Sequence, residues 1–306
     1  MSAITPQGEE LARRRFQENT GWPRTRRAVV DFIRHRPLGA FGALLILVMV
    51  VAAVFAPVIV PYDPVQASFK DLLLPPSGAH LVGTDAFGRD VFSRLIFGSR
   101  TALLVGFSAS LVGSSIGLLL GVVGAFFGGR IDQVIQRSMD ILLSFPLIVL
   151  AIAVVAALGG GEGKLSNVIV AITIPIIPRV ARVIRSSALS VVAMPYIEAA
   201  RSVGIGSSRI MFRHVVPNVF APFIIMATAF LGQAILLEAS LSFLGLGVNE
   251  PTPAWGLMLR GAGMQFLERA PWLAIAPGVA ISAAVFGFNL FGDSLRDALD
   301  PRLRTS

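Results

Sequence analysis

Cysteine is absent from all 306 residues. That absence excludes disulfides, thiolate metal ligands and a cysteine nucleophile, and leaves the redox surroundings of any exposed loop unspecified. Charge is scarce too: 14% of residues are Asp, Glu, Lys or Arg against 54% hydrophobic ones, and mean hydropathy is +0.74. An ordinary soluble domain carries roughly 25% charged residues, so the solvent for most of this chain is lipid. Histidine is limited to His35, His80 and His214, scattered without zinc-binding spacing. No Gly-x-x-x-x-Gly-Lys-Ser/Thr loop exists to cradle nucleotide phosphates, so the chain is not expected to hydrolyse ATP, and neither a cofactor nor a metal is expected.

What is present is a series of uncharged runs. Residues 38–60, 101–129, 141–161, 215–237 and 270–292 are each long enough to cross about 30 Å of hydrocarbon as a helix. The run 165–178 is shorter and alone suits a buried or re-entrant segment. Its continuation through Arg179, Arg182 and Arg185 keeps helical spacing and can carry the helix out among headgroups, which makes it a sixth span. The expected fold class is an all-α membrane protein of six transmembrane helices.

Arginine fixes the expected orientation. Eight arginines lie in the tail 1–37, which precedes an apolar run without a cleavage site and so reads as a cytoplasmic tail before an anchored span. With the N-terminus inside, 19 of the 26 basic residues fall on the inner side, and short loops rich in Lys and Arg stay cytoplasmic. Both termini are therefore expected in the cytoplasm. The net charge of +8 is explained by this topology, with no nucleic-acid partner required. Three units follow: the tail 1–37, a first span with a Pro-broken external loop over 38–100, and a five-helix core over 101–306.

The longest polar stretch of the core follows the fourth span. It reads Pro195-Tyr196-Ile197-Glu198-Ala199-Ala200-Arg201-Ser202-Val203-Gly204, then nine residues, then His214-Val215-Val216-Pro217-Asn218. The pattern predicts a short helix, a break at Gly204 and a second short helix, with Pro217 opening the next span. Two alanines let a partner surface come close, and Glu198 is the one carboxylate there, free to meet a basic group on a docking protein. Physically, an amphipathic loop that merely covers the bundle would fit as well.

That stretch resembles the EAA loop of binding-protein-dependent ABC permeases. The family's usual Ile-x-Leu-Pro is replaced by His214-Val215-Val216-Pro217, and the His-x-x-Pro-Asn form looks like the peptide and nickel branch. Three further segments are similar to the same branch: Gly83-Thr84-Asp85 with Gly88-Arg89-Asp90 and Arg94; Leu241-Ser242-Phe243-Leu244-Gly245-Leu246-Gly247 with Trp255-Gly256; and Gly292-Asp293 through Arg302. The resemblance implies a type I ABC importer permease in the bacterial inner membrane, with the EAA loop as a coupling helix between helices 4 and 5. Glu198, Ala199, Ala200, Gly204, His214 and Pro217 would sit on an ATPase. The implied partners are a sister permease forming a heterodimer, two cytoplasmic ATPase subunits, an extracytoplasmic solute-binding protein and membrane lipid. The implied cargo is short peptides, with nickel, glutathione or oligosaccharide as alternatives within the class.

Each remaining feature has two readings. Asp85, Arg89, Asp90 and Arg94 suit a local salt-bridge and capping cluster outside the membrane better than direct substrate contact. Glu238, the lone carboxylate of the fifth span, either lines the path beside Ser242 and Phe243 or bridges helices at the outer interface. Trp255 is expected as an anchor at the lipid interface. Gly113, Gly117 and Gly121, followed by Gly124, give a ridgeless helix face suited to close internal packing. A stand-alone secondary transporter would show inverted repeats, and a membrane enzyme clustered His, Asp, Glu or Cys; neither pattern is found.

Overall fold

The computed structural model describes residues 32–159, 163–260 and 265–299. The tail up to residue 31, the short stretches 160–162 and 261–264, and the last residues from 300 onward lie outside these. Among the described residues the chain is helical, with one isolated β-bridge between Thr84 and Asp90. Five helices are long and apolar enough to cross a membrane: α1 (Pro37–Val54), α2 (Val91–Phe127), α5 (Leu165–Val192), α7 (Phe220–Leu244) and α9 (Trp272–Leu299).

The sixth passage is not the single span expected over 141–161. It is a pair, α3 (Gly129–Leu143) and α4 (Leu147–Ala157), bent by 95° at the break. The cause is Pro146, which has no N–H to give to the preceding turn and disfavours helical backbone at Phe145. Eleven residues of α4 reach only about 16 Å, so α4 alone is too short to span. The pair nonetheless returns the chain along the bundle. Asp132 in α3 meets Arg185 near the end of α5, whereas Leu158, just after α4, accepts a hydrogen bond from Asn167 at its start.

One expected boundary also changes, and one is kept. The second span begins at Val91, not 101, because Asp90 caps it by accepting the Ser93 backbone N–H at 2.8 Å. The resulting helix of 37 residues is about 55 Å long, enough to project beyond the hydrocarbon. The short run 165–178 does continue as anticipated, through Arg179, Arg182 and Arg185, to Val192, with Pro175 and Pro178 accommodated inside it.

The core is built on the glycine face of α2. A Cβ placed on Gly117 would stand 2.7 Å from the Val180 Cβ and 3.0 Å from the Ile177 carbonyl, and one on Gly121 would stand 2.7 Å from the Ala181 carbonyl. Backbones of α2 and α5 therefore touch, in the manner by which membrane helices gain dispersion contact without a hydrophobic driving force. Ile172, Ile176, Val180 and Ile184 of α5 are fully buried against this face. Around that pair, α7 packs on α2 and α9, and α1 packs on α9 and α2. Because α7 and α9 are antiparallel, with Gly232 beside Phe288 and Gly292 beside Thr228, α9 finishes where α2 finishes. Arg36, just ahead of α1, donates to the Ser294 carbonyl, so both described ends of the chain lie at this Phe127 end of the bundle.

Candidate functional site at the two ends of the bundle

At the Phe127 end, residues 194–218 form the short helix, break and second helix that the sequence predicts. Pro195 occupies the first turn of α6 (Pro195–Ser202). Ile197 and Ala200 turn inward and are buried, which leaves Glu198 and Ala199 exposed on the outer face. Gly204 ends the helix at φ +78, a left-handed conformation that L side chains rarely adopt. Nothing lies within 4 Å of where its Cβ would be, so glycine is required there for backbone handedness, not for space.

The second half runs Ser207–Ile210 and then a π-helical turn, Met211–Val215, before Pro217 and α7. His214 and Pro217 stand in this return arm of the hairpin. The His214 ring packs 6.1 Å from the Tyr196 ring, and Asn218 Nδ2 donates to the His214 carbonyl at 2.7 Å and to the Tyr196 hydroxyl at 3.3 Å. These contacts close the two helices on each other. Arg201 lays its guanidinium 4.8 Å over the Phe126 ring, joining α6 to the last turn of α2. Tyr196, Arg201 and Asn218 are in the quoted motif but were not singled out by sequence reasoning, because spacing alone does not say which turn residues meet. The exposed remainder includes Val203 and Phe212, 76% and 60% accessible.

A clasp beside this hairpin has no counterpart in the sequence reading. Arg185 of α5 donates to both Asp132 oxygens of α3 at 2.6 and 2.5 Å, and Arg182 pairs with Asp140 eight residues further along α3. Two carboxylates on one face of α3 thus pin it across α5.

At the opposite, Asp90 end, the loop over 61–90 and the first turn of α2 share a charged network. Asp85 Oδ1 accepts the backbone N–H groups of Phe87 and Arg89 at 2.8 and 2.9 Å, and Oδ2 accepts Arg89 Nε at 2.7 Å. Arg94 is 1% exposed, with Nε 3.8 Å from Asp85 and Nη1 donating to the Pro64 carbonyl at 3.0 Å. Glu250 completes the network, reached by Arg89 Nη1 at 2.6 Å and Arg94 Nη2 at 3.3 Å. Burial alone would lower the Arg89 pKa, but the hydrogen bond it donates to Glu250 and the field of Asp85 outweigh it and hold the group above its ordinary range. Asp90 faces away from this network, towards Ser93 and His80 Nδ1, the latter 2.9 Å distant. The structure thus joins Asp85, Arg89 and Arg94 and sets Asp90 apart as the helix cap. Glu250 was missed because it lies 161 residues from Arg89 in sequence.

Trp255 is not the lipid anchor expected. It is 4% exposed, its indole N–H donates to the Leu95 carbonyl at 2.9 Å, and Gly98 makes room for its ring. A polar edge satisfied inside the protein has no need of the headgroup region. Glu238 is 1% exposed, and its Oε1 accepts the Ser242 hydroxyl one turn on at 2.7 Å, while Oε2 has no partner among the described residues. Ser242 is fully buried with it, whereas Phe243 points outward and is 39% exposed.

Comparison with known proteins follows the same lines. The family described as binding-protein-dependent transport system inner membrane component matches residues 113–305, and the N-terminal TM domain of oligopeptide transport permease C matches residues 25–76. The chain is 44% identical to the di/tripeptide transport system permease protein DppC of Pseudomonas aeruginosa, over 88% of this chain and 89% of that protein. Identity to the dipeptide transport system permease protein DppC of Alkalihalophilus pseudofirmus is 41%, covering 89% and 88%. Identity to the glutathione transport system permease protein GsiD of Pectobacterium atrosepticum is 42%, covering 90% of each. Among solved structures, a chain of the inward-facing MetNI methionine ABC transporter shares the fold at a TM-score of 0.54 and 20% identity, over 68% of this chain and 96% of that one.

Proposed function

The chain belongs to the binding-protein-dependent transport system inner membrane components, as a multi-pass permease subunit of an ATP-binding-cassette importer, and from that premise we propose how it works and what it carries. The cargo is short peptides, a class that contains the solutes named for the three curated relatives above. A solute-binding protein delivers them at the Asp90 end, which faces outward. The path forms between this chain and a sister permease. Two ATPase subunits dock at the Phe127 end in the cytoplasm, where α6 and the turn after it act as the coupling helix.

The observation that carries this reading is the hairpin 194–218. It buries Ile197 and Ala200, exposes Glu198, Ala199, Val203 and Phe212, and is tied to α2 through Arg201 on Phe126. An exposed face with large apolar groups, held on a rigid frame, suits a partner protein. When the ATPases close, the push on α6 reaches α2 through that stacked pair and α7 through Val215 and Pro217, and so alters the packing of helices that run the full thickness of the bundle.

The absence of cysteine supplies a direct test. In a Val203→Cys variant the introduced thiol is the only one in this chain. A membrane-impermeant maleimide should label it in inverted vesicles and not in right-side-out ones, and assembly with the ATPase should shield it. Labelling from the outside, or labelling indifferent to the ATPase, refutes the assignment.

A further inference from the structure

Beside the Asp85 network lies a cavity of about 320 Å³, set between the loop around Phe87, the first turn of α2, α8 (Trp255–Leu259) and the first turn of α9. Phe87, Leu257, Met258 and Phe266 make its walls mainly apolar. Five charged side chains face it: Arg89, Arg94, Arg260, Asp85 and Glu250. Three cations against two carboxylates leave one positive charge uncompensated.

The surplus is localised on one residue. Arg89 and Arg94 spend their donors on Asp85, Glu250 and backbone carbonyls. Arg260 has no hydrogen bond or ion pair within the described residues, so all five of its donors remain available there. Its position is nonetheless specified. The guanidinium lies against the backbone of Gly245, where a Cβ would come 2.4 Å from Nη1 and where φ is +82. Glycine at this turn thus both ends α7 and leaves room for the cation at the mouth of the cavity.

We propose that this cavity receives the free carboxylate end of a short peptide, with Arg260 as the bidentate clamp and the apolar walls as the seat of the terminal side chain. The inference rests on the importer reading and adds to it a subsite for cargo on the permease itself. A planar fork of donors matches a carboxylate, and the existing Arg89–Asp85–Glu250 pairs stiffen the floor without consuming the clamp. A concave site of this volume, at the small end of the range for small-molecule pockets, fits one or two residues of a peptide; a docking protein would be met by a broad, flatter surface.

The test uses the assembled transporter in nanodiscs without its binding protein, so that the binding protein's own selectivity plays no part. A Met258→Cys substitution places the only thiol of this chain on the cavity wall, and maleimide labelling of this chain is followed by mass spectrometry. Millimolar Ala-Ala-Leu should slow labelling several-fold, and the same tripeptide with an amidated C-terminus should not. Adding Arg260→Ala should weaken protection by about tenfold in concentration, the loss expected for one charge-assisted contact, and Arg260→Lys should restore part of it. Equal protection by acid and amide, protection by neither, or protection that survives Arg260→Ala each overturns the proposal. The importer reading is checked separately in the same preparation reconstituted with binding protein: absence of ATP-dependent peptide uptake defeats that reading and leaves the labelling result legible by itself.

Discussion

Replacing Asp85 by Asn tests whether the network at the Asp90 end holds the 61–90 loop onto α2. The side chain is only 11% exposed, and its two oxygens do different things. Oδ1 accepts two backbone N–H groups, and the amide oxygen of Asn can still do that. On the other side, Oδ2 becomes an NH2 group facing the Arg89 Nε–H at 2.7 Å, donor against donor, and Arg94 loses its nearest carboxylate after Glu250. A lost bond to a charged group costs about 1.5–3 kcal/mol, and breaking a buried ion pair from one side costs about 3–5 kcal/mol; about 3 kcal/mol is expected. Glu250→Gln removes the other carboxylate, but its side chain is 44% exposed, so water compensates and about 1 kcal/mol is expected. Unfolding in detergent, followed by helical circular dichroism with tryptic cleavage of the 61–90 loop as a second readout, should rank the variants in that order. Salt at about 0.5 M should leave the Asp85→Asn deficit in place, since buried pairs are poorly screened. Because the Arg89 pKa is raised, its contribution is complete at every pH below the ordinary guanidinium range and is lost only above it, so the ranking should not move between neutral and mildly alkaline pH. A deficit for Asp85→Asn no larger than that for Glu250→Gln, or one abolished by salt, would refute the account.

Two further variants probe the frame and the hairpin 194–218. Gly117→Leu drives a side chain into Val180 and the Ile177 carbonyl and should cost about 3 kcal/mol, seen as a lowered midpoint in the same unfolding assay, whereas Gly278→Leu, with nothing within 4 Å of its Cβ, should be silent. Gly204→Val strains a backbone at φ +78 by about 1–2 kcal/mol without a clash; the subunit should insert normally, while peptide uptake falls relative to ATP hydrolysis. Unchanged coupling in that variant would argue that the turn is not where force enters.

What could be read from the residues, and what could not, divides along sequence distance. Helix 165–192 was legible because apolar spacing continued through its arginines, whose stems pack while their heads reach for polar ground. The start of α2 was not, because Arg94 and Arg100 interrupt the uncharged run; Arg94 is tolerated at 1% exposure through Asp85, the Pro64 and Pro251 carbonyls and Glu250, the last being 156 residues away. The bend at Pro146 was visible as a proline but hidden by counting composition across it. Likewise Asp132 and Asp140 gave no hint of Arg185 and Arg182, which lie 53 and 42 residues onward. The hairpin 194–218 was legible almost entire, since its shape comes from local rules: proline at the first turn, inward Ile and Ala, and a glycine where handedness reverses.

The meeting of α1 with α9 has a consequence for biogenesis. Gly42 faces the Gly287 carbonyl and Gly39 faces Ser294, so the glycine face of α1 fits the last of the five long helices to be translated. Until then α1 must wait in the bilayer with α2 as its other main neighbour. It can do so, being uncharged throughout and the least buried of the five long helices. This contact therefore forms only once α9 has been inserted, and truncation before α9 would leave an inserted first helix with its glycine face open to lipid.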